Sequence, residues 1–205
     1  MPKVIDELDK QIISVAREIF LQSGIRRTEM KDIARIVNVS RSTLYRHFSS
    51  KEAIAFYVAR DILSEFQYYP DGLKNDKTKA GYDKFEQAVR HYTAVLMDNP
   101  EKIRFLDEFD QLFTDSYPTL EEASDYIEFN QNRNLDIYEY YQEGITDGSI
   151  RPVKDPVFEV DVLLNLVLGM AQRIIPRAQH YVEEHGYSNE FLEEAVRLVL
   201  SAVKA

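Results

Sequence analysis

Residues 28–51, TEMKDIARIVNVSRSTLYRHFSSK, decide how the rest of this 205-residue chain is read. Met30, Ile33, Ala34 and Val37 recur at helical spacing, and Thr28, just before them, is a residue type that caps helix starts. Asn38-Val39 then supplies a tight turn. Asn tolerates φ > 0 better than other non-glycine residues, so Asn38 is predicted to be left-handed. Ser40 is predicted to cap a second short helix, RSTLYRHF, which buries Leu44 and Phe48. Arg41, Ser42, Thr43, Tyr45 and His47 then face outward. One guanidinium, two hydroxyls, a phenol and an imidazole suit a DNA groove, because they offer donors for phosphates and an Arg long enough to reach a guanine edge. Two short helices joined in this way read as a helix-turn-helix.

Ile33-Ala34, then Val39-Ser40-x-x-Thr43-Leu44-Tyr45-x-His47-Phe48, then Ser50-Lys51-Glu52, resembles the TetR family of bacterial transcriptional regulators. The resemblance covers roughly the first quarter of the chain, from Ile12 to about Tyr57. Two positions depart from it: Asn38 stands where the family usually has Gly, and Glu29 where it often has Thr. The resemblance implies a homodimer that binds a palindromic operator in double-stranded DNA and is released by a small-molecule ligand. It also implies that the last two helices pair with their copies in a twofold four-helix bundle. For the head, Lys31, Arg41 and Ser42 are expected nearest base edges, with Arg41 the leading specificity contact. Thr28, Ser40, Thr43, Tyr45, His47 and Lys51 are expected at phosphates.

Composition agrees with such a division of labour. The formal net charge is −10, but the first 60 residues carry 11 Lys and Arg against 7 Asp and Glu, and the remainder 14 against 28. Phosphate binding depends on local charge, because salt screens beyond about 8–10 Å. A basic head on an acidic body is thus drawn to DNA head first; an acidic body also serves plain solubility. Cys is absent, so there is neither a disulfide framework nor a thiolate metal site. Asp6, Glu7, Asp9 and Lys10 interrupt the first apolar run, which argues against a secretory signal. No stretch approaches the ~18 unbroken apolar residues of a membrane span. A cytoplasmic location without membrane contact is expected.

Almost everything else reads as helix. The expected fold is all-α, with about nine helices: a three-helix helix-turn-helix head over residues 1–50 and a larger ligand-binding and dimerisation body over 51–205. A first helix is predicted from about Asp6 to Ser23, stopped by Gly24. Ser49-x-x-Glu52 reads as a capping box opening a fourth helix near Ser50 that runs towards Tyr68. Tyr69 to Gly81 reads as loop, Tyr82 to Met97 as helix, and Asn99-Pro100 as the cap and first residue of the next. Thr119 to Glu122 reads as a second capping box opening one long helix to about Ile145. Gly144 to Pro156 is a turn-rich connector.

Asp155-Pro156 then opens a helix from Val157 to Ile175 that is apolar nearly all round, and Ser188 caps a final one. Such helices are buried within one body or shared with a partner. Leu163, Leu164, Val167, Met170, Ile174, Leu192, Val196, Val199 and Leu200 are expected at the dimer interface. Tyr92, Phe105, Phe109, Phe113, Tyr138 and Tyr141 are the candidate lining of a ligand pocket, although aromatic rings at helical spacing are more often ordinary core. Such faces, with Asp107, Glu108 and Asp110 nearby, would suit an aromatic or cationic compound.

Other classes have less support. His180, Glu183, Glu184 and His185 miss the zinc spacings and read as solvated charges, so no metal and no cofactor is expected. No phosphate loop or nucleophile elbow points to an enzyme. A helical adaptor that kept the fold without DNA binding is the rival reading, and the polar outward face of the second reading helix argues against it.

Overall fold

In the computed structural model, residues 5–67, 72–133 and 135–205 are described. They form eleven α-helices and one 3-10 turn, plus an isolated antiparallel bridge between Ile150 and Lys204. The chain divides into two compact units, the first running up to Glu65 and adding Arg104–Arg133, the second holding the rest. The first unit thus extends past residue 50 and takes in residues 104–133.

In the first unit, α1 (Glu7–Ser23) starts at a reciprocal capping box between Asp6 and Asp9 and ends at Gly24. The helix α2 (Met30–Val37) follows, with Met30, Ile33, Ala34 and Val37 buried as their spacing requires. Thr28 does not cap it; the cap position falls on Glu29, whose side chain makes no capping bond. Next come α3 (Arg41–His47) and α4 (Lys51–Phe66). The first turn of α4 is capped by Ser50 Oγ, which accepts from Ala53 N–H at 3.2 Å. From Ala53 to Ala59 every residue of α4 is buried, so this stretch of the helix is core on all sides. Arg17 on α1 forms a two-pronged ion pair with Glu65 on α4 at 2.5 and 2.8 Å. Phe105, Phe109 and Phe113 join Phe56, Tyr117 and Tyr126 in a continuous cluster of ring contacts. The helix carrying the first two of these rings is α6 (Pro100–Leu112), and Tyr126 lies on α7 (Glu121–Gln131).

The second unit is built on α5 (Gly81–Asp98) and α8 (Asp136–Asp147). They cross so closely that a Cβ on Gly81 would lie 2.0 Å from the backbone nitrogen of Gly144, so only glycine fits. The start of α5 is capped from that neighbour: Gly81 N–H donates to Asp147 Oδ2 at 2.7 Å and Tyr82 N–H to Ser149 Oγ at 3.0 Å. The helices α9 (Pro156–Ile174), α10 (Ala178–His185) and α11 (Asn189–Val203) complete the unit, with the 3-10 turn Ile175–Arg177 between the first two. Asp155 Oδ1 caps α9 by accepting from Phe158 N–H at 3.0 Å, with Pro156 at its first position.

Two differences raise the helix count above nine. The single helix expected from Thr119 to Ile145 is two, α7 and α8, and α7 starts at a Leu120 cap without the expected box. The break follows from the asparagines of NQNRN: Asn130 and Asn132 side chains donate back to Tyr126 O and Glu128 O, competing with the helical ladder. The segment 178–185, expected only as solvated charges, forms α10. Of the loop expected at Tyr69–Gly81, residues 68–71 lie outside the described residues, and 72–80 are turns and extended chain.

Candidate nucleic-acid interface

The turn between α2 and α3 is made as its sequence demands. Asn38 has φ 62° and ψ 45°, and it is the only non-glycine residue with positive φ among the described residues. Ser40 Oγ accepts from Thr43 N–H at 3.0 Å and so caps α3. Leu44 and Phe48 are buried, fixing which way α3 faces. Arg41, Ser42, Tyr45 and Arg46 are left exposed. A groove of about 400 Å³ runs beside them, lined by Lys31, Arg41, Tyr45, Ser50 and Lys51 together with Glu29. Five of these offer N–H or O–H donors as side chains, as a phosphate-binding face requires, with Lys51 in the first turn of α4, where the helix dipole favours an anion.

Several expected contacts are occupied elsewhere. Thr28 is only 2% exposed, and its hydroxyl donates to Gly24 O at 2.7 Å, so it braces the α1–α2 loop and does not face a phosphate. His47 Nδ1 is hydrogen-bonded to Asp9 Oδ1 at 2.9 Å, in a mostly buried position. Lys51 Nζ donates to Arg26 O and Thr28 O, both at 2.9 Å, which leaves one of its three protons for a phosphate. Ser40 Oγ shares hydrogen bonds with Ser42 Oγ and Thr43 Oγ1 at 2.8 Å each. Arg41 and Tyr45 stand exposed as expected.

Other features of this face were assigned no contact from the sequence. Glu29 places a carboxylate in the groove, paired with Lys31 at 2.5 Å. That contact, with the Lys31, Arg41 and Lys51 charges, holds Glu29 below the usual carboxylate range. Arg26, Arg27 and Arg46 are exposed, the first two on the α1–α2 loop. The adjacency of Arg26 and Arg27 to the start of α2 was the available signal.

The six candidate ligand residues separate by unit. Phe105, Phe109 and Phe113 belong to the ring cluster of the first. Tyr92 and Tyr141 are buried in the second, and Tyr138 donates to Asp161 Oδ1 at 2.7 Å while lining an open groove of about 830 Å³ between α8 and the start of α9. The acids expected to favour a cationic compound are engaged: Asp107 Oδ2 accepts from Gln111 at 2.9 Å, and Glu108 accepts two backbone N–H groups.

The expected dimer residues are mostly this chain's own core. Leu163, Leu164, Val167, Ile174, Leu192, Val196 and Leu200 are buried within it, and Met170 and Val199 are half-buried. The apolar residues left outside are Val157, Phe158, Val162 and Leu166 on α9 and Phe191 and Leu198 on α11. His180, Glu183, Glu184 and His185 form exposed pairs along α10. The one group of potential metal ligands among the described residues, Asp6, Asp9 and His47, is already hydrogen-bonded within itself and in the α1 capping box.

This architecture and this face define a helix-turn-helix DNA-binding protein of all-helical build. Residues 12–58 match the model of the bacterial regulatory proteins of the tetR family. Over that segment the chain carries the DNA-binding domain of TetR-family transcriptional regulators. Among relatives, the HTH-type transcriptional repressor KstR2 of Mycolicibacterium smegmatis is 27% identical over 152 residues, covering 71% of this chain and 68% of its own. The HTH-type transcriptional regulator HbdR of an Aromatoleum species is 33% identical over 66 residues, covering 32% of this chain and 29% of its own. Among solved structures, Thermus thermophilus FadR, a TetR-family repressor in complex with lauroyl-CoA, superposes with a TM-score of 0.63 at 19% identity, covering 93% of this chain and 92% of its own. A TetR/AcrR-family regulator from Thermobifida fusca gives 0.60 at 24% identity, covering 93% and 95%. At these identities the shared property is the fold. No helix among the described residues is long and apolar enough to cross a membrane.

Proposed function

We propose that the chain is a homodimeric repressor that binds a palindromic operator and leaves it when a small-molecule effector binds. The observation that carries the DNA-reading part is α3: its core side is fixed by Leu44, its start by Ser40, and it turns Arg41, Ser42 and Tyr45 to solvent. Lys31, Arg41 and Ser42 are assigned to base edges, and Ser40, Thr43, Tyr45 and the remaining proton of Lys51 to phosphates. Dimerisation is supported by Phe158, Val162 and Leu166, spaced four apart on α9, with Phe158 left 65% exposed. A second copy related by a twofold axis would cover that stripe and set two heads on two half-sites. Repression and release are supported by the relatives: KstR2 is named a repressor, and FadR was solved with lauroyl-CoA. Tyr141 adds a physical argument. Its hydroxyl is buried without a hydrogen-bond partner among the described residues, and burial pushes the phenol up, as beside a site that a ligand or water completes.

The test is selection of random duplex DNA by the purified protein at about 150 mM salt, where nonspecific phosphate binding is screened. A palindromic motif that disappears on Arg41→Ala is the expected result. Folded protein that recovers no sequence would instead point to a helical adaptor.

A further inference from the structure

The α1–α2 loop is gripped from two sides. Ile25 N–H donates to Glu108 Oε2 and Arg26 N–H to Glu108 Oε1, both at 2.8 Å. From the other side Lys51 Nζ holds Arg26 O and Thr28 O, while the Thr28 hydroxyl closes the loop onto Gly24 O. Two successive backbone N–H groups converging on one carboxylate form an anion nest, here filled by a side chain of the same chain. Gly24 makes the approach possible. It sits at φ +86°, and a Cβ there would lie 2.7 Å from Glu108 Oε2.

Glu108 does not hang from a flexible segment. It lies on α6 between Phe105, stacked on Phe20 of α1 at 6.0 Å, and Phe109, edge-on to Phe56 of α4 at 5.2 Å. Positions 105, 108 and 109 share one helix face, so both rings and the carboxylate move with α6 as one body. The loop it grips leads directly into α2, whose cap residue Glu29 makes no side-chain capping bond. The loop also carries the exposed Arg26 and Arg27.

We propose that Glu108 is the positioning residue of the DNA-reading head: by binding the Ile25 and Arg26 amides it sets where the start of α2 and the Arg26 and Arg27 guanidinium groups stand against the phosphates. This rests on the reading of the head as a DNA reader. Glu108 touches no DNA; it acts through the loop, and α6 thereby has a direct handle on operator affinity. Only a carboxylate fills the role, because an amide of the same shape turns an N–H₂ donor towards one of the two backbone donors.

The test compares wild type with Glu108→Gln and Glu108→Ala. Amide hydrogen exchange in the DNA-free protein reads the grip, and binding to the selected operator reads its consequence. Glu108→Gln is expected to speed exchange at Ile25 and Arg26 by about tenfold or more, the loss expected of a charge-assisted hydrogen bond, with α1 and α3 still protected. Operator affinity should fall by a similar factor, and Glu108→Ala should be no worse than Glu108→Gln once both are shown folded by thermal melting. A role in packing alone would be insensitive to the isosteric change. Unchanged exchange, or freed loop amides with operator binding as tight as wild type, overturns the proposal while leaving the DNA reader standing. If wild type selects no DNA sequence, the DNA reading itself falls, and with it positioning for DNA, whatever the loop amides show.

Discussion

His47 Nδ1 and Asp9 Oδ1 lie 2.9 Å apart, joining the last residue of the reading helix to the first turn of α1. The imidazole therefore sets how α3 is carried on α1, with Nδ1 committed to that contact and not to a phosphate. His47→Ala is expected to lower unfolding free energy by about 1–2 kcal/mol, as for a lost hydrogen bond to a buried charged group. Operator affinity should fall without a change in its salt dependence. A salt slope shallower by about 0.9 would mean that a phosphate contact had gone, and would return His47 to the DNA face.

Arg41 and Lys51 should separate in assay. Arg41 is exposed at the start of α3, so Arg41→Ala is expected to cost about 1–3 kcal/mol of operator binding and to relax preference at one base pair per half-site. Lys51 braces two loop carbonyls as well as facing the groove. Lys51→Ala should weaken all sequences about equally and also lower the melting temperature. Binding titrations on operator and scrambled duplexes, beside a melt of each variant, decide it; base selectivity lost with Lys51 but kept without Arg41 would reverse the two roles.

What the sequence disclosed was local, and what it hid was register and partnership. Asn38 and Ser40 announce the turn because their chemistry acts within three residues. The apolar wall of α9 shows that the helix is covered, yet a helix apolar on every side does not tell which stripe faces its own chain. Leu164 and Val167 turn inward, whereas Val162 and Leu166 turn out, a difference of one or two positions on the wheel. Lys51 reads as a phosphate contact and Glu108 as an acid near a ligand pocket, because their partners are backbone groups 23 and 83 residues away, which no spacing rule reveals. The break between α7 and α8 lay in plain view in NQNRN, but the apparent capping box and the flanking apolar periodicity outweighed it.

Glu29 is an acid on a face meant for phosphates. It occupies the cap position of α2 without capping it, and it draws Lys31 into an ion pair 2.5 Å long. Glu29→Thr should bind operator more tightly, because it removes a repelled charge, frees Lys31 and offers a hydroxyl that can cap α2. The gain should shrink as salt rises, since its origin is electrostatic. Fluorescence anisotropy at two salt concentrations tests this, and equal affinity of the two proteins at low salt would show that Glu29 stands clear of the phosphates.

The outward stripe of α9 and its inward stripe predict opposite failures. Val162→Glu with Leu166→Glu should give a folded monomer, because both side chains are exposed in the single chain and needed only by a partner. Leu164→Ala, in the chain's own core, should cost about 2–5 kcal/mol and leave the interface chemistry unchanged. Light scattering after gel filtration, with a thermal melt of each variant, separates them. A double-Glu variant that stays dimeric would place the interface elsewhere.

Asp147 links the end of α8 to the start of α5, and its effect should depend on pH. Its carboxylate accepts from Gly81 N–H at 2.7 Å and Ser149 N–H at 2.9 Å, and these bonds, the first foremost, hold it below the usual carboxylate range. The unfolded chain therefore takes up the proton at a higher pH than the folded one, so stability rises with pH through that interval. The contribution is complete above the unfolded carboxylate value of about 3.9 and fades as pH falls through the lower folded value. Asp147→Asn keeps the shape but loses the charge. It should cost about 1 kcal/mol at pH 7, at the modest end for a charged hydrogen bond because the site is exposed, and clearly less at about pH 2.5. Urea unfolding midpoints of both proteins at the two pH values measure this. A difference of equal size at both would place the effect in packing against Gly81 and not in the charge.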